Sequence, residues 1–276
     1  MTTDPLSPTP TLRIALSLAM TLTFCTQQTP AWANPAESAQ ATANRFAHPI
    51  ETAHGLAAWQ AQKAVQANIT ITFGSQEHLK GQMTFETTGG RVRMQLAEDT
   101  VLVFDGQDAW ISPANAARDG ARFDLLTWPY FVAAPMKLRD PGTHIQELGA
   151  VPLHQHPTPA AKLTFDQGVG DSPDDWYILY RDQTSHHLVA MAYIVTYGKD
   201  TQEAEKEPHA ITYDGFETID GVVVSTQWKF WHWSPDRGVH GEPMGQAVLS
   251  DIRFVEPGPK TFAKPVDSRL DPVPSP

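Results

Sequence analysis

The residues that could do chemistry in this chain are scattered. His154 and His156 alternate around Gln155, which places two imidazoles on one side of an extended segment. Two His and a carboxylate make a zinc-binding set, but no third ligand follows at a recognisable spacing and Pro157 breaks the run, so this segment reads as a loop. "DSPDDW" (171–176) gathers Asp171, Asp174 and Asp175. A calcium loop also needs its full ligand spacing and a distal Glu, both missing here, so it reads as an acidic turn. His186 and His187 sit at an expected hairpin turn with their rings pointing opposite ways. Glu98-Asp99 and Glu203, Glu205 and Glu207 read as solvated charge. There is no G-x-S-x-G elbow, H-E-x-x-H, phosphate loop or dinucleotide glycine pattern. Glycosidase carboxylates come from different strands, and nothing here nominates a pair. No catalytic residue, metal or cofactor is therefore expected.

What remains is apolar recognition. "WPYFVAAPMKLRDPG" (128–142) is too apolar for a surface loop and too short and broken to span a membrane. Pro129 permits a helix to start just after Trp128, and Pro135 ends or kinks it. Trp59, Trp110, Trp128, Tyr130, Phe131, Met136, Trp228 and Phe230 are the candidate ligand-binding residues. Trp128, Phe131 and Met136 would form a lid, Trp110 and Trp228 a wall. The bland alternative is that they complete a solid core.

The elements that must position these residues are mostly strands. "IETAHGLAAWQAQKAV" (50–65) has helical spacing, interrupted by Gly55 at a cost of about 1 kcal/mol. The pattern then turns to period two: Ala67, Ile69, Ile71 and Phe73; Leu79, Gly81, Met83 and Phe85; Val92, Met94 and Leu96. Residues 100–111 continue as two strands across a turn at Asp105-Gly106. Strands resume near 144 and run to 255. "LVAMAYIVTY" (188–197) and "WKFWHW" (228–233) are apolar on both faces and must be covered on both. The residues predict a curling antiparallel meander with the 128–136 stretch laid against its hollow.

The ends of the chain differ from this core. Residues 12–24 form an apolar segment after Arg13, and Ala31-Trp32-Ala33 makes an A-x-A site, the order of a secretory signal over 1–33. The destination would be the periplasm or the medium. A competing reading places a lipidated cysteine at Cys25, the chain's one cysteine. Residues 34–47 read as a linker, 48–255 as the folded domain and 256–276 as a proline-rich extended tail. Net charge is −11, which repels phosphate backbones and argues against nucleic acid.

"VFDGQDAWISP" (103–113), with Asp105, Gly106, Trp110 and Pro113, resembles the lipoprotein carrier superfamily of the bacterial periplasm, the LolA-like and LolB-like proteins. "AHGLAAW" and "SPDDWYILYRD" look like an uncharacterised exported family within it. The resemblance implies a mainly β (α+β) fold: an antiparallel unclosed β-barrel of about eleven strands with helices lidding its concave face. It also implies a non-enzymatic protein whose apolar cavity holds a lipophilic small molecule or lipoprotein acyl chains. Transient membrane contact and a monomeric state go with that reading. The alternatives kept open are an envelope hydrolase with acid/base groups at the barrel mouth and a structural interaction module.

Overall fold

The structure is a computed structural model that describes Met1 and residues 35–274. The expected leader, its cleavage point at Ala33 and Cys25 lie outside the described residues. The body opens with α1 (Pro35–Ala53) and α2 (Leu56–Gln60). β1 (Ala64–Phe73), β2 (Gln76–Glu86), β3 (Val92–Leu96), β4 (Val101–Phe104) and β5 (Ala109–Ser112) follow as a meander. After α3 (Ala121–Ala133) comes a second meander: β6 (Thr143–Leu153), β7 (His156–Phe165), β8 (Tyr177–Arg181), β9 (Leu188–Tyr193), β10 (His209–Ile219) and β11 (Val222–Ser234). The long β12 (Gly238–Val255) joins the two, and β13 (Arg269–Asp271) adds a thirteenth strand at the β5 edge.

β12 does this by pairing twice. Its second half lies against β1, from Gly245 to Val255, and its first half against β11, from Gly238 to Val248. Strands β6 to β12 then curl into a ring that meets itself at a single parallel bridge, Val239 to Leu153. A Cβ on Gly238 would stand 1.8 Å from the Pro152 carbonyl oxygen, so that close approach needs glycine. The ring is not a regular closed barrel. An unclosed antiparallel arrangement was expected and is found, with thirteen strands among the described residues where about eleven were expected.

Period-two alternation places the core. Ala67, Ile69 and Ile71 of β1 are buried together with Met83 and Phe85 of β2 and Met94 of β3. Phe73 departs from its pattern: it is 38% exposed at the strand end, tilted against Phe230 at 5.2 Å. The strands expected to be covered twice are covered twice. Leu188, Met191 and Trp228 join the main core, while Ala190 and Ala192 pack with Tyr180, Trp233 and Val239 in a second cluster.

Four expectations need correction. The stretch read as a linker is helical from Pro35, and Phe46, Ala47 and Ile50 are buried on it, because an amphipathic stripe crosses its polar composition. The helix expected over 50–65 instead breaks at Gly55, which takes a φ of 79° and lies so near β11 that a Cβ would fall 2.1 Å from the Gly221 carbonyl oxygen. β1 begins at Ala64. The proline-rich tail is docked rather than free: Phe262 is 3% exposed and Arg269–Asp271 pair with β5. Finally, α3 starts at Ala121 rather than after Trp128, leaving Pro129 inside the helix. Proline costs an interior hydrogen bond. Here burial of Leu125, Trp128, Phe131 and Val132 on several sides outweighs that loss, so α3 is a plug more than a lid. Pro135 does end it, in a single 3-10 turn over Ala134–Met136.

Candidate functional site

α3 runs through the hollow between the two meanders and is tied down by polar contacts at its start. Asp271 of β13 accepts the Arg122 N–H at 2.8 Å, supplying the carboxylate that the N-cap Gly120 lacks. Asp124 is 1% exposed and accepts from the Trp128 indole at 2.7 Å, from His78 at 3.0 Å and from the Arg118 guanidinium. Arg122 holds Asp171 through two nitrogens, one of them at 2.9 Å. A helix buried on most sides thus has its charges neutralised at one end.

On its other side α3 floors a cleft of about 320 Å³ that lies between β2–β3 and β7–β9. Its floor is Leu126, Pro129, Tyr130 and Phe131. Phe85 and Val92 form one bank; Phe165, Tyr177, Tyr193 and Tyr197 form the other. Strand register explains the aromatic bank: Tyr177 of β8 and Tyr193 of β9 are direct cross-strand partners. Their rings lie 6.1 Å apart, Tyr130 approaches Tyr177 at 5.5 Å, and Phe131 approaches Tyr193 at 5.2 Å. Burial raises the ionisation of Tyr130, Tyr177 and Tyr193 well above the ordinary phenol value, so all stay protonated. All three line the cleft, and no hydrogen bond to their hydroxyls occurs among the described residues.

The rim carries charge. Lys137 pairs with Asp140 at 2.7 Å and donates to the Thr88 carbonyl at 2.9 Å. Asp175 accepts the Thr196 N–H and hydroxyl, both at 2.7 Å, through the same oxygen. Burial pushes its carboxyl up to about 6, against the pull of those two bonds. The acidic turn therefore divides its labour: Asp171 anchors α3, Asp174 accepts from Gln167 at 3.1 Å, and Asp175 faces the cleft.

Of the candidate residues, Tyr130 and Phe131 line this cleft. Trp128, Trp228 and Phe230 do not; they fill the hollow beneath α3, with Trp128 6.0 Å from Phe230 and Phe131 6.4 Å from Trp228. The Trp228 indole N–H is buried there without a partner. Trp59 packs against Phe85 and Phe254 and donates to the Thr87 carbonyl at 3.1 Å. It and Met136 border a neighbouring hollow of about 590 Å³ that shares Thr88, Lys137 and Asp140 with the cleft's rim. Trp110 lies outside the cavity altogether, because Ala109 and Ile111 take the core face of β5. Its indole donates to Asp105 at 2.8 Å, and Lys264 of the tail sits 3.6 Å over its ring. The Asp-Gly…Trp motif is thus a turn lock. His154 lies at the β6–β7 turn with its ring 4.8 Å from Trp231, and no cluster able to hold a metal occurs among the described residues.

Sequence reasoning missed Asp175, Tyr177, Tyr193 and Tyr197 as site residues. The available signal was the run "DDWYILY", which carries a carboxylate and a tyrosine two positions apart at a strand start.

No protein-family model matches this chain, and no curated protein matches it in sequence. Among solved structures, a LolA superfamily protein from Nitrosomonas europaea superposes with a TM-score of 0.52 at 14% identity, over 81% of this chain and 98% of its own. A putative outer membrane lipoprotein-sorting protein domain from Vibrio parahaemolyticus gives 0.49 at 10% identity, over 80% and 97%. The first of these likenesses shows the fold, as the resemblance in the sequence implied.

Proposed function

We propose that this chain, with its LolA-like fold, is an exported, non-enzymatic protein that binds a lipophilic ligand in the cleft beside α3. The observation that supports this reading is the cleft itself: an apolar, aromatic-walled opening beside α3, between β2–β3 and β7–β9. Its volume of about 320 Å³ lies at the low end of the ~300–1,000 Å³ typical of ligand sites. At ~30 Å³ per water-sized group it accepts roughly ten heavy atoms, one chain or one ring system rather than a multiply acylated anchor. Burying ten methylenes at about 0.8 kcal/mol each yields about 8 kcal/mol before ordering costs, so affinity should be no tighter than roughly micromolar. The apolar segment at 12–24 and the Ala31-Trp32-Ala33 site support export.

The test is uptake of a short fluorescent fatty amphiphile by the purified chain. Leu126→Trp puts an indole into the floor of the cleft and should abolish uptake while thermal stability holds. Trp59→Phe, outside the cleft, should leave uptake intact. Equal uptake by both variants would place the ligand elsewhere.

A further inference from the structure

The cleft has a chemical bias that a plain hydrocarbon site would not need. Asp175 is its unbalanced charge. Asp140 is matched by Lys137 and Asp171 by Arg122, but no cation reaches Asp175 among the described residues. Its partners are the Thr196 hydroxyl and N–H on one oxygen, which leaves the other oxygen to the cleft. Tyr130 and Tyr177 line the same cleft as Asp175, and Tyr177 follows it two positions on. A ring face is the negative side of an aromatic quadrupole and attracts a cation within about 6 Å of its centroid.

These features discriminate between ligands. A purely apolar chain laid over the cleft would strip water from Asp175 and return nothing to it. An anionic head would meet that carboxylate and the negative ring faces in a chain of net charge −11. A cationic head satisfies both the carboxylate and the rings. We propose that the ligand is a hydrophobic cation, an alkylamine or quaternary ammonium compound. Its charge lies between Asp175 and the faces of Tyr130, Tyr177 and Tyr193, and its apolar part runs along α3. This rests on the reading that the cleft holds a lipophilic ligand and adds the sign of its head.

The experiment is isothermal titration at pH 8 of the chain with octyltrimethylammonium, octyl glucoside and octanoate, which share one tail and differ in head. The cation should bind at least tenfold more tightly than octanoate, with the neutral glucoside between them. Asp175→Asn should bring the three affinities to within about threefold of each other. Tyr193→Leu keeps an apolar surface but removes a ring face, and should weaken the ammonium more than octanoate. Octanoate binding as tightly as the cation, or a preference that survives Asp175→Asn, overturns the assignment of a cationic head while leaving lipophile binding in place. Binding of none of the three overturns the lipophile reading itself.

Discussion

An unpaired carboxylate in an aromatic cleft should be held at a cost to the fold, and Asp175→Asn measures that cost. Burial raises the Asp175 carboxyl from 3.8 to about 6, a shift of about two pKa steps. At about 1.36 kcal/mol per step, the ionised side chain destabilises the folded state by about 3 kcal/mol above pH 6. Asparagine removes the charge and still offers an oxygen to Thr196, but a neutral acceptor makes weaker bonds than a carboxylate. The net expectation is a gain of about 1–2 kcal/mol at pH 8, a rise in Tm of roughly 2–8 °C for a chain of this size. The sign follows from proton binding. Between about pH 4 and 6 the folded wild type holds a proton that the unfolded chain has lost, so this group's penalty fades as pH falls. The variant lacks that group, so its advantage should be greatest at pH 8, shrink through pH 6 and vanish near pH 4. Urea unfolding followed by tryptophan fluorescence at pH 8, 6 and 4 reads the difference. A variant less stable than wild type at pH 8, or a difference that does not change with pH, would refute the reasoning. A site that sacrifices stability in this way is a common companion of function.

His54 should show the opposite slope. It is buried, with Nδ1 2.8 Å from the Val223 carbonyl and Nε2 accepting the Leu188 N–H at 3.0 Å, and desolvation lowers it from 6.5 to about 4. Its contribution is complete above pH 6.5 and lost as pH falls towards 4, worth up to about 3 kcal/mol. In wild type this offsets the Asp175 effect, so the acid loss should emerge in the Asp175→Asn background; a variant equally stable at pH 7 and pH 4.5 would contradict it. Asp271→Ala removes the carboxylate at the start of α3 and should cost about 1 kcal/mol, with faster amide exchange in the first turn of α3; unchanged exchange there would make the tail a bystander. Trp110→Phe loses the bond to Asp105 and should cost about 1–2 kcal/mol without altering ligand uptake, since Trp110 faces the tail; reduced uptake would return it to the site.

The sequence by itself determined the sheet. Alternation in β1 to β3, the Asp105-Gly106 turn and the two-faced strands at 188 and 228 specify antiparallel strands and their covered sides, because side-chain direction in a strand follows from position alone. It also determined that the stretch around Trp128 had to be buried, since that much apolar surface has no other place. Tertiary structure decided how. Whether Pro129 starts a helix or sits within one depends on how much burial surrounds it, and that comes from strands on both sides of it in the chain, β3 to β5 before it and β8, β9 and β11 after it. Trp128 and Trp228 look like cavity wall in one dimension but pack against Phe230 and Phe131 and fill the hollow. The cleft needs the register that sets Tyr177 against Tyr193, and α3 laid as its floor between β2–β3 and β7–β9. Asp175 reads as a solvated acid until that cleft gives it an aromatic wall. Local periodicity encodes which face a residue takes; only the closure of the sheet settles what stands opposite it.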